Sequence, residues 1–107
     1  MKTVTRELHY RLIKKAQTSR CKYKISAMGF DNKGELIHVT RNTTRFNRQG
    51  GSVHAEMKLM REFGDKIKVI IICRTNMNGD LKLIHPCKAC ARKANELDIK
   101  IMSICDI

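Results

Sequence analysis

Residues 69–73 read V-I-I-I-C, five apolar side chains in a row with no polar residue between them. A strand with one wet face alternates apolar and polar residues, whereas a strand that is apolar at every position is covered on both faces. The run is therefore the centre of a sheet with a layer above it and a layer below. The rest of the fold follows from what flanks it.

Downstream, T-N-M-N-G-D at 75–80 is turn-rich and L-K-L-I at 81–84 is a short extended piece. H-P-C-K-A-C at 85–90 then holds the only proline of the chain. Pro86 suits the first position of a helix over about 86–97, because its missing N–H has no partner there. I-K-I-M-S-I at 99–104 forms a last strand. Upstream, Ser52 is an N-cap for a helix over 53–63, with Met57 and Met60 or Phe63 on its buried side and Gly64 as its stop. N-T-T-R-F-N-R-Q-G-G at 42–51 lacks apolar period and reads as a loop. Y-K-I-S-A-M-G-F at 23–30 and E-L-I-H-V-T-R at 35–41 are joined by the turn sequence D-N-K-G and form an antiparallel hairpin. Val4, Leu8, Leu12 and Ala16 recur at four-residue spacing beside Ile13, with Arg6, Arg11, Lys14 and Lys15 off that stripe. That pattern is an amphipathic helix over 4–18 with a basic outer face.

Helices alternating with strands around one apolar strand imply a three-layer α/β/α architecture with a mixed sheet of about four strands. No repeat, low-complexity run or linker interrupts the 107 residues, so residues 1–107 are expected to form a single domain. Hydrophobic content of 42% excludes wholesale disorder. The formal charge of +12, from 22 Lys and Arg against 10 Asp and Glu, points to phosphates or polyanions as partners. No stretch approaches the roughly 20 apolar residues of a spanning helix, and the polar start M-K-T-V-T-R-E-L-H-Y is unlike a signal peptide, so no membrane partner and a cytoplasmic location are expected. In that reducing compartment the five cysteines are thiols or metal ligands.

Two motifs fall at helix starts, where open α/β sheets gather their sites. Cys87 and Cys90, three apart in a first turn, project from one face and can grip one ion, and a helix N-terminus favours the thiolate that a metal requires. His54, in the facing first turn, supplies an imidazole. Two sulfurs and one nitrogen suit zinc, and three protein ligands leave a fourth position open, the pattern of a catalytic site. Cys73 and Cys105 end strands and read as small buried side chains, Cys21 has no pattern around it, and His9 and His38 read as outward. His85 lines the mouth. Glu56 shares the first turn with His54 without being a ligand, and a carboxylate so placed can take, hold and return a proton. Each motif alone is ordinary: His-x-Glu opens many solvated helices, and Cys-x-x-Cys serves redox and structural roles. Together they read as one zinc site.

H-A-E followed by P-C-K-A-C resembles the signature of the zinc-dependent cytidine deaminase-like superfamily, His-x-Glu then Pro-Cys-x-x-Cys. The specific match covers residues 54–56 and 86–90, and the order of elements is also that family's. The resemblance implies a cytidine deaminase-like fold and hydrolytic deamination, with Zn2+ held by His54, Cys87 and Cys90 and with Glu56 as proton shuttle. It further implies that Asn42, leaving the second strand, binds the substrate sugar, and that Ala55 offers its backbone to the base. His-Ala-Glu is the spelling of deoxycytidylate deaminases and of tRNA and polynucleotide editors, where tetrameric cytidine deaminases have Cys-Ala-Glu. The ten-odd residues between Arg74 and Pro86 look instead like the free-nucleoside group. Most relatives add a helix and a fifth strand after the point where this chain ends, which leaves a sheet edge for a second subunit and implies a homo-oligomer.

Arg41, Arg45 and Arg48 flank the 42–51 loop, which can hold a nucleotide phosphate or track a strand, and Phe46 is placed to stack on a base. A solvated loop anchored by one Phe is the plainer reading of the same residues. The expected activity is conversion of cytosine to uracil in a free nucleoside or nucleotide, with release of ammonia. Base editing within RNA or single-stranded DNA is the alternative, which makes nucleic acid a second class of partner, and a non-catalytic zinc-bound binding module is the third.

Overall fold

The computed structural model describes residues 6–20, 24–44 and 52–106. Val4 and Cys21 lie outside the described residues. Helix α1 (Arg6–Gln17) presents Leu12 and Ala16 inward, at the four-residue spacing of the sequence. Strands β1 (Lys24–Phe30) and β2 (Leu36–Arg41) form the antiparallel hairpin. Asp31 Oδ1 closes its turn by accepting from the amides of Lys33 and Glu35, both at 2.9 Å, and Gly34 supplies the positive φ of 83° that the turn requires.

The central run is strand β5 (Val69–Thr75), antiparallel to β1 along its whole length. Its other edge is shared in tandem. Strand β7 (Lys100–Ser103) pairs in parallel with Val69 to Ile72, and strand β6 (Leu81–Lys82) pairs with Arg74 and Thr75. The sheet thus has five strands, the extra one being β6, where L-K-L-I contributes only its first two residues. Residues 43–44 (β3, Thr43–Thr44) and 52–53 (β4, Ser52–Val53) also pair, so the ends of the expected loop are a two-stranded ribbon.

Side chains of β5 divide between two layers. Ile70 and Ile72 join Ala27 beneath Leu59 and Met60 of helix α2 (Ala55–Phe63) and Cys90 and Ala94 of helix α3 (Lys88–Glu96). Ile71 and Cys73 join Met28 and Phe30 beneath Leu12 and Ala16 of α1, with Ile104 of a closing 3-10 turn (Ile104–Asp106). Ile70, Ile71, Ile72 and Cys73 are all 0% exposed, which is why the run carries no polar residue. Each buried isoleucine contributes roughly 1.5–3 kcal/mol.

Four details differ from the sequence reading. The N-cap of α2 is His54, with Ser52 paired in β4, because the ribbon carries the chain two residues further before it turns helical. Gly64 has a helical φ of −56°, so it ends α2 without the left-handed conformation; a Cβ there would lie 2.5 Å from the Met60 carbonyl oxygen, and close approach is what requires glycine. Helix α3 begins at Lys88 with Cys87 as N-cap, two residues later than Pro86 implies. Cys105 is exposed, because it lies in the closing turn beyond β7 and not in the strand.

Candidate active site

His54 leaves β4 in extended conformation (φ −70°, ψ 139°) and makes no side-chain bond to its own helix. Its ring turns to the facing helix, where Nδ1 lies 3.2 Å from Cys87 Sγ and 3.3 Å from Cys90 Sγ. Cys87 is also extended (φ −67°, ψ 164°) and its Sγ accepts from the Cys90 amide at 3.4 Å. The two helix starts thus aim three soft ligand atoms at one point, all within 4.8 Å of one another.

These residues fit zinc. Tetrahedral zinc with S and N ligands at about 2.3 and 2.0 Å places those ligands about 3.5 Å apart, close to the spacing found here. The thiol of Cys90 is pushed above its ordinary value, first by burial, then by the Glu56 carboxylate and by Cys87. Bound there, a divalent cation would favour the thiolates of Cys87 and Cys90. Cys90 is fully buried and Cys87 and His54 half-buried, so one side of the group is open to a further ligand.

Glu56 follows one residue after Ala55 in the first turn of α2 and is only 3% exposed. Burial raises its pKa, while its own backbone amide and the charge of His54 pull the other way. Glu56 lines a cavity of about 190 Å³ with His54, Cys87, His85, Ile25, Ile84 and Arg74. That volume is smaller than the roughly 300–1,000 Å³ of drug-sized sites, so the cavity admits one small group.

No protein-family model and no curated protein sequence matches the chain. Solved structures do. A cytidine deaminase from Mycobacterium leprae superposes with a TM-score of 0.64 at 20% identity, over 94% of this chain and 89% of that one. A cytidine deaminase from Mycobacterium tuberculosis superposes with a TM-score of 0.60 at 12% identity, over 94% and 85%. The fold is cytidine deaminase-like.

Within this cytidine deaminase-like fold, the sequence motifs have been brought together: His54, Cys87 and Cys90 in one group, and Glu56 and His85 in the adjoining cavity. Ala55 is fully buried and its carbonyl accepts from Thr40 Oγ1 at 2.8 Å, which fixes the helix start against β2. Asn42 is 1% exposed and stands behind the cavity wall; its amide donates to the Ile25 carbonyl at 2.9 Å, and its Oδ1 accepts from Ser19 Oγ at 2.7 Å and from the Ile25 amide at 3.1 Å. Arg45, Phe46, Asn47 and Arg48 lie outside the described residues.

Ile25, Ile84 and Arg74 were not singled out from the sequence. Ile84 directly precedes His85, and Arg74 directly follows the apolar run, so both carried a positional signal. Ile25 carried none, since only the register that sets it opposite Arg74 brings it to the cavity. No helix among the described residues is long and apolar enough to cross a membrane.

Proposed function

We propose that the protein is a zinc-dependent hydrolytic deaminase that converts cytosine to uracil in a free nucleoside or nucleotide. The observation that carries this reading is that Glu56 opens into the same cavity as His54 and Cys87, beside the third ligand Cys90. His54, Cys87 and Cys90 hold the metal. What zinc supplies when bound is acidification of water at neutral pH.

In the overall reaction the ring carbon gains an oxygen from water and loses its exocyclic nitrogen as ammonia. Glu56 receives a proton from the water and returns it on the side of the ring from which ammonia departs. Because the Glu56 carboxyl is nearly shielded from solvent, the proton it holds is kept for the substrate. Ile25 and Ile84 flank the ring with apolar walls, and Ala55 offers its backbone to the polar edge of the base. Asn42, held by Ser19 and the Ile25 amide, braces the Ile25 wall from behind, and His85 closes the mouth. Arg45 and Phe46 extend the substrate contacts. The protein acts in the cytoplasm, as a single domain within a homo-oligomer.

The test is a panel of cytidine, deoxycytidine, deoxycytidylate, adenosine, guanine, tRNA and single-stranded DNA, read by the mass change of one unit on amine-to-oxygen exchange and by ammonia release. Glu56→Ala should retain zinc and lose turnover by a factor on the order of 10²–10⁴. Full activity in Glu56→Ala, or equal activity of zinc-free protein, overturns the mechanism. Turnover only on tRNA or single-stranded DNA moves the reading to base editing, which the net charge of +12 favours.

A further inference from the structure

Strand β2 is the last strand on its side of the described sheet, and its outer edge is the floor of a groove walled by α1 and α2. Two clefts follow one another along it. One, of about 430 Å³, is lined by Tyr10, Arg11, Lys14 and Lys15 of α1 and by Leu36 to Val39. The next, of about 480 Å³, is lined by Lys15, by His38 to Arg41, and by Lys58, Arg61 and Glu62 of α2. They share Lys15, His38 and Val39, so the groove is continuous from Leu36 to Arg41. Six residues of strand span roughly 17–20 Å, a length over which a nucleic-acid strand carries several phosphates.

Charge in this groove is almost all of one sign. Arg11, Lys14, Lys15, Arg41, Lys58 and Arg61 line it against the single carboxylate of Glu62. Two of these heads are oriented by main-chain oxygens: Arg41 Nη1 donates to Thr18 O at 3.0 Å, and Lys58 Nζ donates to Arg41 O at 2.8 Å. The floor between the cations mixes the half-buried Leu36, Ile37 and Val39 with the exposed His38 that both clefts share, and Tyr10 stands 59% exposed at one end beneath the ammonium of Lys14. At the other end Arg41 lies next to Asn42, behind the wall of the catalytic cavity.

We propose that this groove binds the sugar–phosphate backbone of a single-stranded nucleic acid. Cations along the walls meet successive phosphates, and the exposed rings of His38 and Tyr10 meet unpaired bases. A second copy of the chain is disfavoured as occupant, since strand addition at β2 would set Lys15, Arg41, Lys58 and Arg61 against like charges. A flat anionic bilayer cannot reach the floor of a groove between two helices. The proposal goes beyond the deaminase reading and does not depend on turnover.

The test uses fluorescence anisotropy of labelled oligothymidylate and oligouridylate of about 20 nucleotides, longer than the usual 4–16-nucleotide site, across a salt series. Lys15→Glu with Arg61→Glu changes the groove. Lys66→Glu with Lys100→Glu lowers the net charge equally on exposed positions in the turn after α2 and at the start of β7. The groove pair should weaken binding about tenfold or more and flatten the dependence of log affinity on log salt by about 1.4, as expected for two lost phosphate contacts, while the control pair should change affinity less than about threefold. Lys15→Gln with Arg61→Gln, checked by circular dichroism, serves if charge reversal impairs folding. Equal weakening by both pairs, no binding by the wild type near 50 mM salt, retention by anionic vesicles but not by the oligonucleotides, or self-association that the groove pair abolishes with strand binding intact overturns the proposal. Repeating the titration with Glu56→Ala separates it from the catalytic reading, because binding should be unchanged there even if no substrate is ever turned over.

Discussion

The hydroxyl of Ser19 donates to Oδ1 of Asn42 at 2.7 Å, joining the residues that follow α1 to the residue that follows β2. The same oxygen accepts from the Ile25 amide, so one carboxamide closes three segments at the sheet end that carries the cavity. Asn42→Ala removes the acceptor of the half-buried Ile25 amide and one of two acceptors of the Ser19 hydroxyl, whose bond to the Asn42 carbonyl at 3.2 Å remains, and should lower stability by about 1–3 kcal/mol. Asn42→Asp keeps an acceptor at this position and should cost less. Urea unfolding of the two variants checks the order; equal losses would remove Oδ1 as the cause.

Removing the metal should loosen the two helix starts together, since His54 opens α2 and Cys87 opens α3. At free zinc one hundred times its dissociation constant, binding stabilises the fold by about 2.7 kcal/mol. Chelation should lower the melting temperature, and Cys87→Ser should abolish both the zinc content and that response. A chelator-insensitive melt in protein carrying one zinc per chain would show that the site forms without the metal.

Cys73 supplies a pH prediction. Burial above all pushes its thiol from 9.0 up to about 11, with the Ser26 hydrogen bond opposing and Cys105 adding to the rise. A raised thiol pKa means the folded state keeps a proton that the unfolded state has released, so its contribution is fully present below pH 9 and is lost as pH climbs toward 11. The loss amounts to roughly 2–3 kcal/mol over that window. Cys73→Ala removes this slope: the stability gap between wild type and variant should narrow as pH rises from 9 to 11. A gap that stays constant would refute the assignment to Cys73.

Thr75 is 2% exposed and its hydroxyl finds no partner among the described residues. Thr75→Val exchanges that hydroxyl for a methyl of the same shape and should raise stability by about 1 kcal/mol, read as an increase in the denaturant midpoint at unchanged slope. A loss of similar size would mean that the hydroxyl is satisfied in solution.

The layers were legible because burial on both faces writes itself as V-I-I-I-C, and the hairpin because Asp31 and Gly34 are the residues its turn demands. The candidate metal group was legible because His54, Cys87 and Cys90 sit in two short motifs. What was not legible depends on register or on one turn of chain. Ile25 reaches the cavity only through its pairing with Arg74, and β3 and β4 are two residues each, too short for any periodicity to appear. The helix starts slipped by two residues because His54 and Cys87 serve as N-caps in extended conformation, a role that Ser52 and Pro86 would fill by ordinary preference. The β2 groove was half visible, as basic residues on α1; that Lys58 and Arg61 of α2 face the same strand edge belongs to the tertiary arrangement.

The tandem edge of β5 has a consequence for how this protein can change. The chain leaves that edge after Lys82 and returns to the same edge at Lys100, so residues 83–99 form a closed excursion carrying His85, Cys87, Cys90 and all of α3. The hairpin and its pairing with β5 lie on the opposite edge and do not depend on the excursion's length. The cysteine half of the site is thus one continuous segment whose ends can change without disturbing the hairpin, provided that Cys90 and Ala94 stay packed with Leu59 and Met60 of α2.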